Sequence, residues 1–153
     1  MDYMKEAVKE AFSGMRKGDG GPFGAVIVKN NKIITRAHNT VLKTNDPSAH
    51  AEVNAIRKAT KKLKRFDLSD CEIYTACEPC PMCFAAIHWA KMKKMYYVCT
   101  RKDAGKIGFD DKVIYEAMKT APQSKTLKAI HVESEEALKA FDEWKNKKNK
   151  KMY

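Results

Sequence analysis

His50-Ala51-Glu52 and, further along, Pro79-Cys80-Pro81-Met82-Cys83 put an imidazole, two thiols and a carboxylate into one chain. Zinc in a structural site is closed by four protein ligands, whereas a catalytic zinc keeps three and leaves its last tetrahedral position to water. His50, Cys80 and Cys83 make three. Residues two apart on a helix point in nearly opposite directions, so Glu52 is poorly placed to share the ion with His50. It is better placed beside the water that the ion polarises, where a carboxylate can take a proton and hand it on. Two cysteines three apart in a first helical turn lie on one side, and the positive end of the helix favours their thiolate form.

Blander readings exist for each piece. A lone C-x-x-C serves equally as a redox pair or half of a zinc knuckle, and a lone histidine is commonly structural. Cys77, three residues before Cys80, could join Cys80, Cys83 and His50 in a closed site, leaving any zinc purely structural. That alternative gives Glu52 nothing to do.

The elements that must position these residues follow from periodicity and punctuation. Met4, Val8, Ala11, Phe12 and Met15 recur at three and four residues and predict an amphipathic helix ending at Gly18 to Gly21. Gly24 to Val28 reads as a strand; Asn30-Asn31 can take the positive φ angles of a two-residue turn, returning the chain as a strand over Lys32 to Ala37. Asp46 as N-cap with Pro47 in the first helical position predicts a helix through His50, Val53, Ile56 and Ala59. Strand Glu72 to Ala76, helix Pro81 to Lys91 and strand Lys94 to Cys99 follow. A helix near Lys112 to Met118, a strand near Thr126 to Val132 and a helix from Glu135 complete the chain. Helices alternating with strands predict an α/β fold, a sheet covered on both faces, in one domain over residues 1–153.

At 153 residues the chain can bury a core without disulfides or a metal. Five cysteines are odd in number, and two sit at ligand spacing, so a reducing compartment, the cytoplasm, is expected. Lys5, Glu6, Lys9 and Glu10 interrupt any apolar leader, and no later segment suits a membrane span. The net charge of +11 raises nucleic acid as a partner. It is not favoured, because the lysines concentrate in two runs, Lys61 to Arg65 and Lys145 to Lys151, of the kind that usually form solvated faces.

The H-x-E and P-C-x-x-C pair is the known signature of zinc nucleobase deaminases, recognised here as such. From Gly20 to Asp111 the chain resembles the cytidine-deaminase-like superfamily, and within it the bacterial guanine deaminases. The matching stretches are Gly21 to Val28, Asn45 to Glu52, Cys77 to Cys83 and Gly108-Phe109-Asp110-Asp111. The resemblance implies a three-layer α/β/α sandwich with a central mixed five-stranded sheet. It also implies a homodimer whose C-terminal segment, about 133–153, crosses to the neighbouring subunit. It implies zinc on His50, Cys80 and Cys83, with Glu52 as proton shuttle and Asp111 as a second proton carrier at the leaving amine. Phe23, Asn39, Ala51, Trp89 and Tyr153 would hold or enclose a small purine base, guanine above others. The tRNA adenosine deaminases are the nearest alternative, with cytosine or guanosine as further substrates and a zinc-supported RNA-binding module as the non-enzymatic one. Asn39 could instead only turn its loop, Asp111 cap a helix, and Trp89 pack in the core.

Overall fold

The computed structural model describes residues 2–153. Contacts within the chain divide it into two compact units, one running to Lys112 and the other from Val113 to Tyr153.

The first unit is built on four strands, β1 (Gly24–Lys29), β2 (Lys32–His38), β3 (Glu72–Cys77) and β4 (Lys94–Cys99), in the order β2-β1-β3-β4. β1 runs antiparallel to β2 and β3, and β3 parallel to β4. Asn30 and Asn31 have φ of 48° and 58°, the left-handed values that a tight hairpin turn with right-handed strand twist requires. Alternation along β1 sends its side chains to two cores. Val26 and Val28 meet Ala7 of helix α1 (Tyr3–Arg16) on one face. Ala25 and Ile27 join a second core on the other face, which takes in Ala51, Ala55 and Ala59 of the helix over Ala51–Leu63 and Ile87 of the helix over Pro81–Trp89. The result is the expected three-layer α/β/α arrangement with a mixed sheet.

Between β2 and the Ala51–Leu63 helix lies a single turn, α2 (Val41–Thr44), which makes the longer helix α3 and the Pro81–Trp89 helix α4. α3 begins at Ala51, later than Asp46-Pro47 predicts. The Asp46 carboxylate accepts from the Ser48 backbone N–H at 2.8 Å and from its hydroxyl at 2.6 Å. The capping oxygen is thereby consumed in a local turn, and the helix waits for His50. A short helix absent from the sequence reading, α5 (Arg101–Lys106), is held by a reciprocal capping box between Thr100 and Asp103.

The sheet has four strands where five were expected, because residues 126–132 form no ladder. Their apolar side chains Leu127, Ile130 and Val132 are exposed. An extended segment without a hydrogen-bonded neighbour bears its ordering entropy uncompensated, so alternation alone does not make it a strand. The second unit contains α6, which starts at the boundary (Lys112–Lys119), and α7 (Glu135–Asn146); no residue from 113 to 153 is buried. No helix among the described residues is long and apolar enough to cross a membrane.

Candidate metal centre and active site

His50 and Cys80 occupy equivalent places. Each is the N-cap of its helix in an extended conformation, with φ and ψ of −69° and 158° for His50 and −64° and 167° for Cys80. Neither side chain caps its own helix. Both are turned instead toward a common point, with Cys83 in the first turn of α4, so two helix N-termini and their partial positive charge face one centre. Pro81 takes the first helical position of α4, where its missing N–H costs nothing.

His50 Nδ1 lies 3.5 Å from Cys80 Sγ and 3.5 Å from Cys83 Sγ, and the three donor atoms fall within 4.8 Å of one another. A tetrahedral zinc with Zn–S of about 2.3 Å and Zn–N of about 2.0 Å separates nitrogen from sulfur by about 3.5 Å. The donor set and its spacing therefore fit zinc, and soft thiolates with an imidazole disfavour magnesium or calcium. The charges point the same way. Cys80 is drawn down to about 4, chiefly by the hydrogen bond with the Cys83 thiol and further by His50. Cys83 is pushed up, first by sharing that hydrogen bond and then by burial, since two neighbouring thiolates repel. His50 is raised by its hydrogen bond to Cys80. A dication in their midst lets both sulfurs ionise.

Glu52, in the first turn of α3, is 7 % exposed. Burial raises its carboxyl above the usual range, the Cys80 charge adds to the rise, and His50 opposes it. Cys77 stands outside the cluster. Its thiol donates to the Thr100 carbonyl at 3.7 Å and is pushed up to about 12, mainly by burial. Among the described residues the donor group thus has three members, and Cys77 is not one of them.

The flanking residues fall in two sets. Asn39, 5 % exposed, follows β2 and donates its backbone N–H to the Phe23 carbonyl at 3.0 Å. Its Oδ1 accepts from Val41 N–H at 3.0 Å, leaving the amide NH₂ for another acceptor. The turn reading of Asn39 is therefore true of one side-chain atom only. Thr40 N–H donates to the Ala49 carbonyl at 3.0 Å, and Asn54 Nδ2 reaches Thr40 Oγ1 at 3.0 Å, tying this loop to the start of α3. Ala51 is buried at that start. Phe23 meets Phe109 edge to face, with ring centroids 5.0 Å apart. Phe109 was missed as a packing residue, although its signal, Gly108 to Asp111, was read for its acid. Asp111 is half-buried; burial raises its carboxyl, the Cys80 charge adds to this and Arg101 opposes it.

Two expected residues are not brought to the ligands by this unit. Trp89 ends α4, about 13 Å of helical rise from Cys80, and is 68 % exposed, which excludes a core role within the chain. Tyr153 belongs to the second unit and is exposed.

Over residues 1–99 the chain matches the family model for the cytidine and deoxycytidylate deaminase zinc-binding region, and it belongs to that family of zinc-dependent deaminases, hydrolases of carbon–nitrogen bonds. Within the family it is similar to guanine deaminase of Bacillus subtilis. The two sequences are 48 % identical over 99 % of this chain and 97 % of that protein. The X-ray structure of that enzyme superposes with a TM-score of 0.94, covering 99 % of this chain and 96 % of the other. Guanine deaminase of Nitrosomonas europaea superposes at 0.66 with 31 % identity over 71 % and 63 % of the two chains. The tRNA-specific adenosine deaminase of Aquifex aeolicus is 40 % identical over 67 % of this chain and 68 % of its own.

Proposed function

We propose that the chain hydrolyses guanine to xanthine and ammonia. The observation that carries this reading is the joining of an open three-donor centre and a buried Glu52 to a likeness with B. subtilis guanine deaminase over both whole chains. Zinc held by His50, Cys80 and Cys83 supplies a Lewis acid that brings the pKa of a water toward neutrality. Glu52 receives the proton as the water oxygen attacks carbon 2 of guanine, and delivers it to the ring nitrogen. The second water proton goes to the exocyclic amine, the carbon–nitrogen bond breaks, and ammonia leaves. Asp111 is the second carrier for that proton. A carboxylate whose burial favours its neutral form suits a group that must hold and release a proton in each cycle. Asn39 NH₂ holds an acceptor on the base, Phe23 packs on its flat face, and Ala51 lines its edge through the α3 start.

The proposal extends to a homodimer exchanging residues from about 133. The outer edge of β2 is blocked, because Lys58 Nζ donates to the Arg36 carbonyl at 3.1 Å and Lys62 Nζ to that of Ile34 at 2.9 Å. β4, at the other edge, carries exposed Tyr96, Tyr97 and Val98. Leu138, Phe141 and Trp144 in α7 are also exposed, and such apolar faces call for a covering surface. A second copy supplies one, and in that pairing Trp89 and Tyr153 enclose the base. The free thiols suit a reducing cytoplasm.

The test is ammonia release from guanine, adenine, cytosine, guanosine and a tRNA bearing adenosine at the wobble position, side by side. Guanine is expected to lead; faster release from the tRNA would overturn the assignment.

A further inference from the structure

At the strand end beside Asn39, the ring of His38 lies between two carboxylates. Nδ1 is 3.0 Å from Glu10 Oε2 and Nε2 is 2.8 Å from Asp19 Oδ2, with the histidine side chain 16 % exposed. Each ring nitrogen thus has a carboxylate oxygen within hydrogen-bond distance, so the ring is held at both edges. Three elements and a loop meet here. Glu10 comes from α1, His38 ends β2, and Asp19 lies in the glycine-rich loop before β1. The Asp19 carbonyl accepts the N–H groups of Leu42 and Lys43 in α2 at 3.1 and 3.0 Å, and its carboxylate also faces Lys43 Nζ at 3.5 Å.

Two glycines make room for this arrangement. A Cβ on Gly14 would fall 2.5 Å from His38 Cδ2, which explains a glycine inside α1, where it ordinarily costs about 1 kcal/mol. A Cβ on Gly20, next to Asp19, would fall 2.1 Å from Asn39 Oδ1. The clamp therefore sets where the glycine loop presses on Asn39, while Val41 N–H fixes which way the amide faces.

We propose that His38 is a positioning residue, which through Glu10 and Asp19 holds Asn39 in the orientation that binds the purine and so governs affinity for the base rather than the rate of bond cleavage. This rests on the reading of Asn39 as a base-holding residue. The experiment measures KM and kcat for guanine, and zinc per chain, in His38→Gln, Asp19→Asn, Asn39→Ala and the His38→Gln, Asn39→Ala double variant. His38→Gln is expected to raise KM about ten-fold, the effect of one weakened hydrogen bond, with kcat within about two-fold. Zinc stays at the wild-type level, and the double variant is no worse in KM than Asn39→Ala. A fall in kcat at unchanged KM, or single effects that multiply in the double variant, would overturn the proposal. Should His38→Gln not fold, Asp19→Asn, which keeps side-chain volume, is read by the same criteria. If Asn39→Ala raises KM and the clamp variants do not, the clamp proposal alone fails. If Asn39→Ala leaves KM unchanged, the base-holding reading falls and the clamp proposal with it.

Discussion

Replacing Glu52 by Gln keeps the shape of a buried side chain and removes its capacity to carry a proton. A positioned general acid–base group contributes on the order of 10² to 10⁴ in rate, so kcat for guanine is expected to fall by at least that lower factor. The fold should not suffer. The Glu52 carboxyl is raised by burial, so its charged form opposes folding of the metal-free chain. The sign follows from linkage: the contribution is most favourable below the unfolded value and is lost as pH rises through the folded one. Metal-free Glu52→Gln is therefore expected to melt at or above the wild-type temperature at neutral pH, with a flatter decline as pH rises above the ordinary carboxylate range. With zinc bound, the dication offsets the buried carboxylate charge and the difference should shrink. Steady-state ammonia release, zinc analysis and thermal melts with and without chelator read all three quantities. Near wild-type turnover with zinc retained would remove Glu52 from the mechanism, and a marked loss of metal-free stability would refute the electrostatic account of its burial.

Other changes separate further parts of the site. Cys77→Ser should retain one zinc per chain, since its sulfur faces the Thr100 carbonyl and not the donor cluster; metal analysis decides. Gly20→Ala places a methyl group more than about 1 Å inside contact distance of Asn39, so kcat/KM for guanine should drop and stability fall by about 1–3 kcal/mol, read by kinetics and denaturant melts. Deleting Tyr153 should slow turnover while leaving the oligomer intact, whereas removing residues 133–153 should yield monomers by light scattering. An unchanged rate after the first deletion would refute closure by the chain end.

The chemistry was legible because metal ligands obey short-range rules. Cys80 and Cys83, three apart at the start of α4, meet His50 in one group of donor atoms, as ligand spacing predicts. Strands β1 to β4 were legible because apolar runs are bounded by glycine, asparagine and charge. The start of α3 was not, because Asp46 can serve a helix or a turn with equal chemistry and Ser48 decides for the turn. The strand expected over 126–132 failed because a strand is a relation between two segments, and its alternation names no neighbour. The His38 clamp joins residues 28 and 19 positions apart, which no spacing rule reveals. In the basic run Lys61, Lys62 and Lys64 are exposed, and Lys62 and Arg65 also make local bonds, to the Ile34 carbonyl and to Asp70.

Zinc-edge X-ray absorption on the purified protein tests the incomplete coordination sphere most directly. Two sulfurs and one imidazole per zinc are expected from Cys80, Cys83 and His50. A third sulfur or a second imidazole would close the sphere with protein and contradict the account.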